Sequence, residues 1–141
     1  MKGENIMEKE LERIKKNAII EITTWAGLSL TPGVDGTIIT KDYNLYYYHN
    51  YHHIAPSLQD KIKPNYLSKP IKLNDTTINK INNFIEDKIL NKTYEYQLIM
   101  DVSFHLTIKY NNKTINIENY PELNHELNKI IERGIKNEKE Q

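Results

Sequence analysis

The chain has 141 residues, no cysteine, and 19 Lys+Arg balanced by 19 Asp+Glu. That length suits one domain, able to bury roughly 68–70% of its unfolded surface without covalent staples. The missing cysteines exclude disulfides, thiolate catalysis and cysteine zinc sites, and zero net charge with Arg13 and Arg133 as the sole arginines disfavours duplex DNA.

The N-terminus, MKGENIMEKELERIKK, is charged and has no apolar core of a signal peptide. No apolar run approaches the roughly 18 residues that a membrane span needs. A cytoplasmic protein without a membrane partner is the expectation. The Asn-x-Thr triplets at Asn74, Asn91 and Asn112 then reflect an Asn-rich chain. Abundant Ile, Asn, Lys and Tyr with only three Ala point to AT-rich coding, as in a low-GC bacterium or its phages. Lys2-Gly3-Glu4 can be encoded AAA-GGA-GAA, a ribosome-binding sequence suitably spaced before Met7. Residues 1–6 are thus expected to be a leader, with translation starting at Met7, or a frayed tail.

In chain order, Met7 to Asn17 reads as a short helix with Leu11, Ile14 and Ala18 as its apolar stripe. Ala18 to Trp25 is rich in β-branched residues and predicts a strand. Leu28 to Gly36 holds Thr-Pro-Gly and Asp-Gly, both turn signals. Thr37–Thr40 and Tyr43–His49 read as two strands joined tightly through Lys41-Asp42. Asn50 to Pro70, with Pro56, Pro64 and Pro70, reads as a long loop. Asp75 to Leu90 predicts a helix capped by Asn74 or Asp75, with Ile78, Ile81, Ile85 and Ile89 as its buried stripe. Tyr94–Met100 reads as a strand. Val102–Tyr110 alternates cleanly and, through Asn111-Asn112, predicts a hairpin with Lys113–Asn119. Pro121 opens a last helix with Leu123, Leu127, Ile130 and Ile131 inward, and Gly134 fits a left-handed stop.

The order α-β-β-β-α-β-β-β-α with short connections predicts an α+β domain. It would be a two-layer domain, an antiparallel β-sheet with helices packed on one face. Residues 1–17 form the leader and short helix, 18–134 the domain, and 135–141 a disordered tail.

Strand phase then assigns the sheet's other face. Leu45 directs Tyr43 and Tyr47 to the core and sends Tyr46 and Tyr48 outward. Ile20 and Ile22 send Glu21, Thr23 and Trp25 outward, although Ile19 competes for the core phase. The open face would carry Trp25, Tyr46, Tyr48, His105 and Lys109, with Ser103, Thr107, Thr114, Asn116 and Glu118. Aromatics with polar tips on an open face suit flat ligands, nucleobases, a protein partner or a second copy in a homodimer.

The stretch YYYHNYHH, residues 46–53, holds four Tyr and three of the chain's five His. His49, His52 and His53, with Asp101 and His105, could furnish an N/O metal site. Their spacing gathers ligands on a helix, though, and this segment reads as a strand end and a loop. No zinc signature, no nucleophile elbow and no phosphate-binding glycine loop occurs. The favoured expectation is a small non-catalytic binding protein, of inhibitor, immunity or sequestering type, acting on a host protein or small ligand and needing no cofactor. A His/Asp metal-dependent hydrolase is one alternative. A nucleotide or single-stranded nucleic-acid binder stacking bases on Trp25, Tyr46 and Tyr48 is the other.

Overall fold

The computed structural model describes residues 2–26, 33–51, 65–90, 92–94 and 103–140. The first helix is α1, Lys2–Lys16. Three strands follow: β1, Ala18–Ala26; β2, Gly33–Thr40; β3, Asn44–Tyr51. Two short strands, β4 at Tyr66–Leu67 and β5 at Ile71–Lys72, precede α2, Asp75–Phe84, which runs into a π-turn at Ile85–Ile89. The hairpin β6, Ser103–Tyr110, and β7, Lys113–Glu118, leads to α3, Pro121–Glu140.

All pairings are antiparallel, in the order β4-β3-β2-β1-β6-β7, and β5 also pairs with β3. The α+β class and the antiparallel sheet are as the sequence predicts. Asn111 and Asn112 have φ of 48° and 64°, the left-handed pair that a two-residue hairpin turn requires. The expected Tyr94–Met100 strand lies almost wholly outside the described residues.

The sheet separates two cores. On one face Ile20, Ile22, Ile39, Leu45, Leu106, Ile108 and Ile117 meet Ile81, Phe84 and Ile85 of the α2 segment and Leu123, Leu127 and Ile131 of α3. Each such buried aliphatic side chain contributes about 1.5–3 kcal/mol relative to exposure. On the other face Leu11 and Ile14 of α1 cover Ala18, Ile38 and Tyr48. So α2 and α3 share one face as expected, while α1 takes the opposite one. Its stripe is narrow because it seals only the β2–β3 side of that face.

The competition between Ile19 and Ile20 resolves into a bulge. The β1–β2 register shifts between Ala18 and Ile20, Ala18 turns to the α1 side, and both isoleucines pack on the α2/α3 side.

Three turn and stop signals play other roles. Asp35-Gly36 sits inside β2 rather than in a turn. Tyr43 adopts φ 60°, and β3 begins only at Asn44. Gly134 does not end α3, which continues to Glu140, and Ile135 packs against the core. The expected disordered tail from residue 135 is therefore helical through 140. The α1 helix likewise reaches back to Lys2, across the expected leader.

Asn74 caps α2, its Oδ1 accepting from Thr77 N at 2.8 Å. In the π-turn the Leu90 N–H donates to the Ile85 carbonyl at 3.0 Å, five residues back.

Candidate partner-binding face

Register places the candidate residues in rows across the α1 side of the sheet, because residues paired across antiparallel strands share a face. Trp25 stands beside Ser103. The next row runs Tyr48, Gly36, Thr23, His105, Glu118. The row after it runs Tyr46, Ile38, Glu21, Thr107, Asn116. Lys109 follows, beside Thr114.

The two halves of this face differ. Over β2 and β3, α1 closes the surface: Tyr48 is 2% exposed, and Tyr46 is half-buried against the same cluster. The Lys15 ammonium lies 5.2 Å from the centre of the Tyr48 ring. Burial, helped by Glu21 and Asp35, pushes the Tyr48 hydroxyl up to a pKa of about 12. Tyr46 and Tyr48 thus point away from the main core, as strand phase requires, yet only Trp25 of the three expected aromatics stands clear, at 45% exposed. The sequence does not announce this, because the helix that covers them lies some thirty positions upstream.

Over β1, β6 and β7 the described residues leave the face polar and uncovered. His105 and Glu118 are both substantially exposed, with 3.8 Å between Nδ1 and Oε1. Thr107 Oγ1 donates to Asn116 Oδ1 at 2.9 Å. From behind, Asn124 of α3 donates to the His105 carbonyl at 3.3 Å and fixes that strand's backbone. A shallow groove of about 160 Å³ follows the boundary with α1, lined by Lys15, Ala18, Glu21, Thr107 and Lys109. The face therefore offers one large aromatic, a histidine between hydroxyls and a carboxylate, and a lysine at the far end.

Of the residues suspected of binding metal, His49 does not join this face. His49 lies on the opposite side of the sheet from His105, since it pairs with Asp35, which in turn pairs with Thr24, whereas His105 pairs with Thr23. His49 Nδ1 is hydrogen-bonded to Asp35 Oδ1, and the His49 ring lies 5.9 Å from the ring of Tyr66. Strand register makes the Asp35 contact, and reading Asp35-Gly36 as a turn hides it. His52, His53 and Asp101 lie outside the described residues. Among the described residues no three His, Asp or Glu side chains gather as a metal site would require, and no helix is long and apolar enough to cross a membrane.

Comparison with protein-family models, with curated proteins and with solved structures yields no match.

Proposed function

We propose that this protein is a non-catalytic binding protein that presents the open β1-β6-β7 face to a protein partner. The observation that carries the reading is the unequal cover of that face. Beside the half sealed by α1 stands a polar half that the described residues leave uncovered, with Trp25 exposed at one end. Tryptophan on a fixed strand is the side chain most enriched among residues that dominate interface energetics. The surrounding Thr23, His105, Thr107, Asn116 and Glu118 match the polar rim of such an interface.

Balanced charge also supports a protein partner over nucleic acid, since phosphate recognition draws on clustered cations. Base stacking would have one exposed ring here instead of three. A mixed-charge face of this kind fits an inhibitor, immunity or sequestering protein acting on a host component. The cysteine-free chain suits work in a reducing compartment such as the cytoplasm.

The test is affinity capture from the native host lysate with three baits: the wild type, Trp25→Ala, and Tyr66→Ala. Tyr66 is 47% exposed and belongs to the other side of the sheet. The expected outcome is one protein retained by wild type and Tyr66→Ala and lost with Trp25→Ala. Retention that ignores Trp25 would overturn the reading. Steeply salt-dependent retention of single-stranded nucleic acid, or one equivalent of tightly held metal with hydrolytic activity, would replace it with one of the other two functions.

A further inference from the structure

A second feature lies at the opposite end of the sheet, between β1, the β2–β3 turn and α2. It is a half-open cleft of about 270 Å³. Ile19, Ile39, Ile78 and Ile81 make its apolar wall, and Lys41 and Lys109 stand at its rim. Neither lysine forms an ion pair among the described residues. Among the described residues no carboxylate lines the cleft. Glu86, on the π-turn that follows α2, accepts a hydrogen bond from the hydroxyl of Tyr110, a lining residue, at 2.7 Å.

Backbone irregularities converge on the same place. The bulge between Ala18 and Ile20 sets two consecutive isoleucines on its wall. Tyr43, which also lines it, holds φ 60°, and Asn111 holds φ 48°. A left-handed tyrosine is costly, and such departures persist where surrounding structure over-determines them, most often at ligand sites. Asn111 and Tyr43 both close hairpin turns, the Tyr43 N–H donating to the Thr40 carbonyl at 2.9 Å, so the bulge carries this point.

We infer that this cleft binds a small amphiphilic anion: an apolar body of about eight to ten carbons held against the isoleucine wall, with one carboxylate between Lys41 and Lys109. The volume sets the size. It falls just under the roughly 300 Å³ at which drug-sized pockets begin, and at about 30 Å³ per water-sized group it admits about nine. The charge sets the head group. Two cations over an apolar wall attract an anion and repel an ammonium, and a lysine serves a single carboxylate as a point charge. The cleft shares Lys109 with the far end of the open face but includes neither Trp25 nor His105, so loss of partner capture with Trp25→Ala and loss of octanoate shifts with Ile78→Phe can fail independently.

The test is a titration of the full chain with octanoate, followed by amide and methyl NMR, with octylammonium and octan-1-ol in parallel. The expected result is saturable shifts at Ile19, Lys41, Ile78 and Ile81 with a Kd on the order of 1 mM, as a ligand of this size allows. Octylammonium is expected to bind at least about tenfold more weakly. Lys41→Gln is expected to weaken octanoate about threefold with the fold intact, and Ile78→Phe, which fills the half-buried mouth, to abolish the shifts. Absence of saturable shifts at these residues up to about 10 mM would overturn the inference. So would octylammonium binding as tightly as octanoate.

Discussion

Gly36 on β2 lies directly opposite Tyr48 on β3, and a Cβ at position 36 would sit 2.0 Å from Tyr48 Cε1 and 2.2 Å from Cζ. The glycine is required here by the ring of Tyr48 and not by its backbone, since no described glycine has positive φ. The ring lies over the bare backbone of β2 and fills the space a side chain would take, while α1 closes over it.

Gly36→Ala is therefore expected to expel the Tyr48 ring and destabilise the fold by about 2–3 kcal/mol, the range of a core overpacked with no room to relax. Urea unfolding measures it. The pair is also expected to couple: Gly36→Ala in a Tyr48→Ala background should cost well under its effect in the wild type. An unchanged midpoint for Gly36→Ala alone would show that the ring does not rest on this backbone.

Gly134 presents a contest between two opposing effects. It lies inside α3, where alanine in place of glycine gains about 1 kcal/mol in helix propensity. A Cβ there would lie 2.1 Å from Thr77 Oγ1, 2.8 Å from Cγ2 and 3.0 Å from Cβ. A new rotamer can move Oγ1, but Thr77 Cβ moves only with the backbone of α2, which Asn74 caps at Thr77 N. The steric term is expected to win, with Gly134→Ala destabilising by about 1–2 kcal/mol net. With Thr77→Ala already in place the sign should approach neutral or reverse, as the propensity gain emerges. Thermal melts of the two singles and the double decide it. A stabilised Gly134→Ala single would show that α2 and α3 stand farther apart.

Asn119 performs a repair at the end of β7. Its φ is 62°, and it is 4% exposed. Its backbone N–H donates to the Phe104 carbonyl at 2.7 Å, and its Oδ1 accepts the Phe104 N–H at 3.1 Å. The side chain thus takes the N–H that a regular ladder would give to the residue's own carbonyl. Asn119→Gly keeps the left-handed backbone and loses the acceptor, at about 1–2 kcal/mol. Asn119→Ala loses both, at about 2–4 kcal/mol. The expected stability order is wild type, then Gly, then Ala. Equal losses for the two variants would assign the whole effect to the hydrogen bond.

These positions show where the sequence is legible and where it is not. The β6–β7 hairpin reads directly, because Phe104, Leu106 and Ile108 alternate and Asn111-Asn112 supplies its own turn. The buried stripe Ile81, Ile85 and Ile89 reads equally well, since it is local and periodic. Asp35-Gly36 and Gly134 mislead for a shared reason. Glycine serves both a turn and a close approach, and only the partner across the contact, Tyr48 or Thr77, tells them apart. That partner lies twelve residues away for Gly36 and more than fifty for Gly134. The binding face reads in phase but not in cover. Alternation sends Trp25, Tyr46, Tyr48 and His105 to one side correctly, whereas nothing local to Tyr48 records that Leu11 and Ile14 will lie over it.

The same cover makes Tyr48 a probe of alkaline unfolding. In the folded protein its hydroxyl has a pKa of about 12, raised first by burial and then by Glu21 and Asp35. In the unfolded chain it titrates near 10. Because the folded value is the higher, the neutral ring is favoured by folding. Its contribution is complete below about pH 10 and is lost as pH rises from there through about 12. Two units correspond to roughly 2–3 kcal/mol, an upper bound for a side chain this buried. Urea unfolding at a series of pH values from about 8 to about 12 is expected to show this decline in the wild type. Tyr47, whose hydroxyl is also raised by burial, contributes in the same direction in both proteins, so the informative quantity is the difference from Tyr48→Phe. That variant keeps the ring against Gly36 and removes the titrating proton, so its curve should fall less steeply over the same interval. Parallel curves, or a Tyr48 phenolate appearing by ultraviolet difference absorbance near pH 10 while the protein is still folded, would mean that α1 does not seal this half of the sheet.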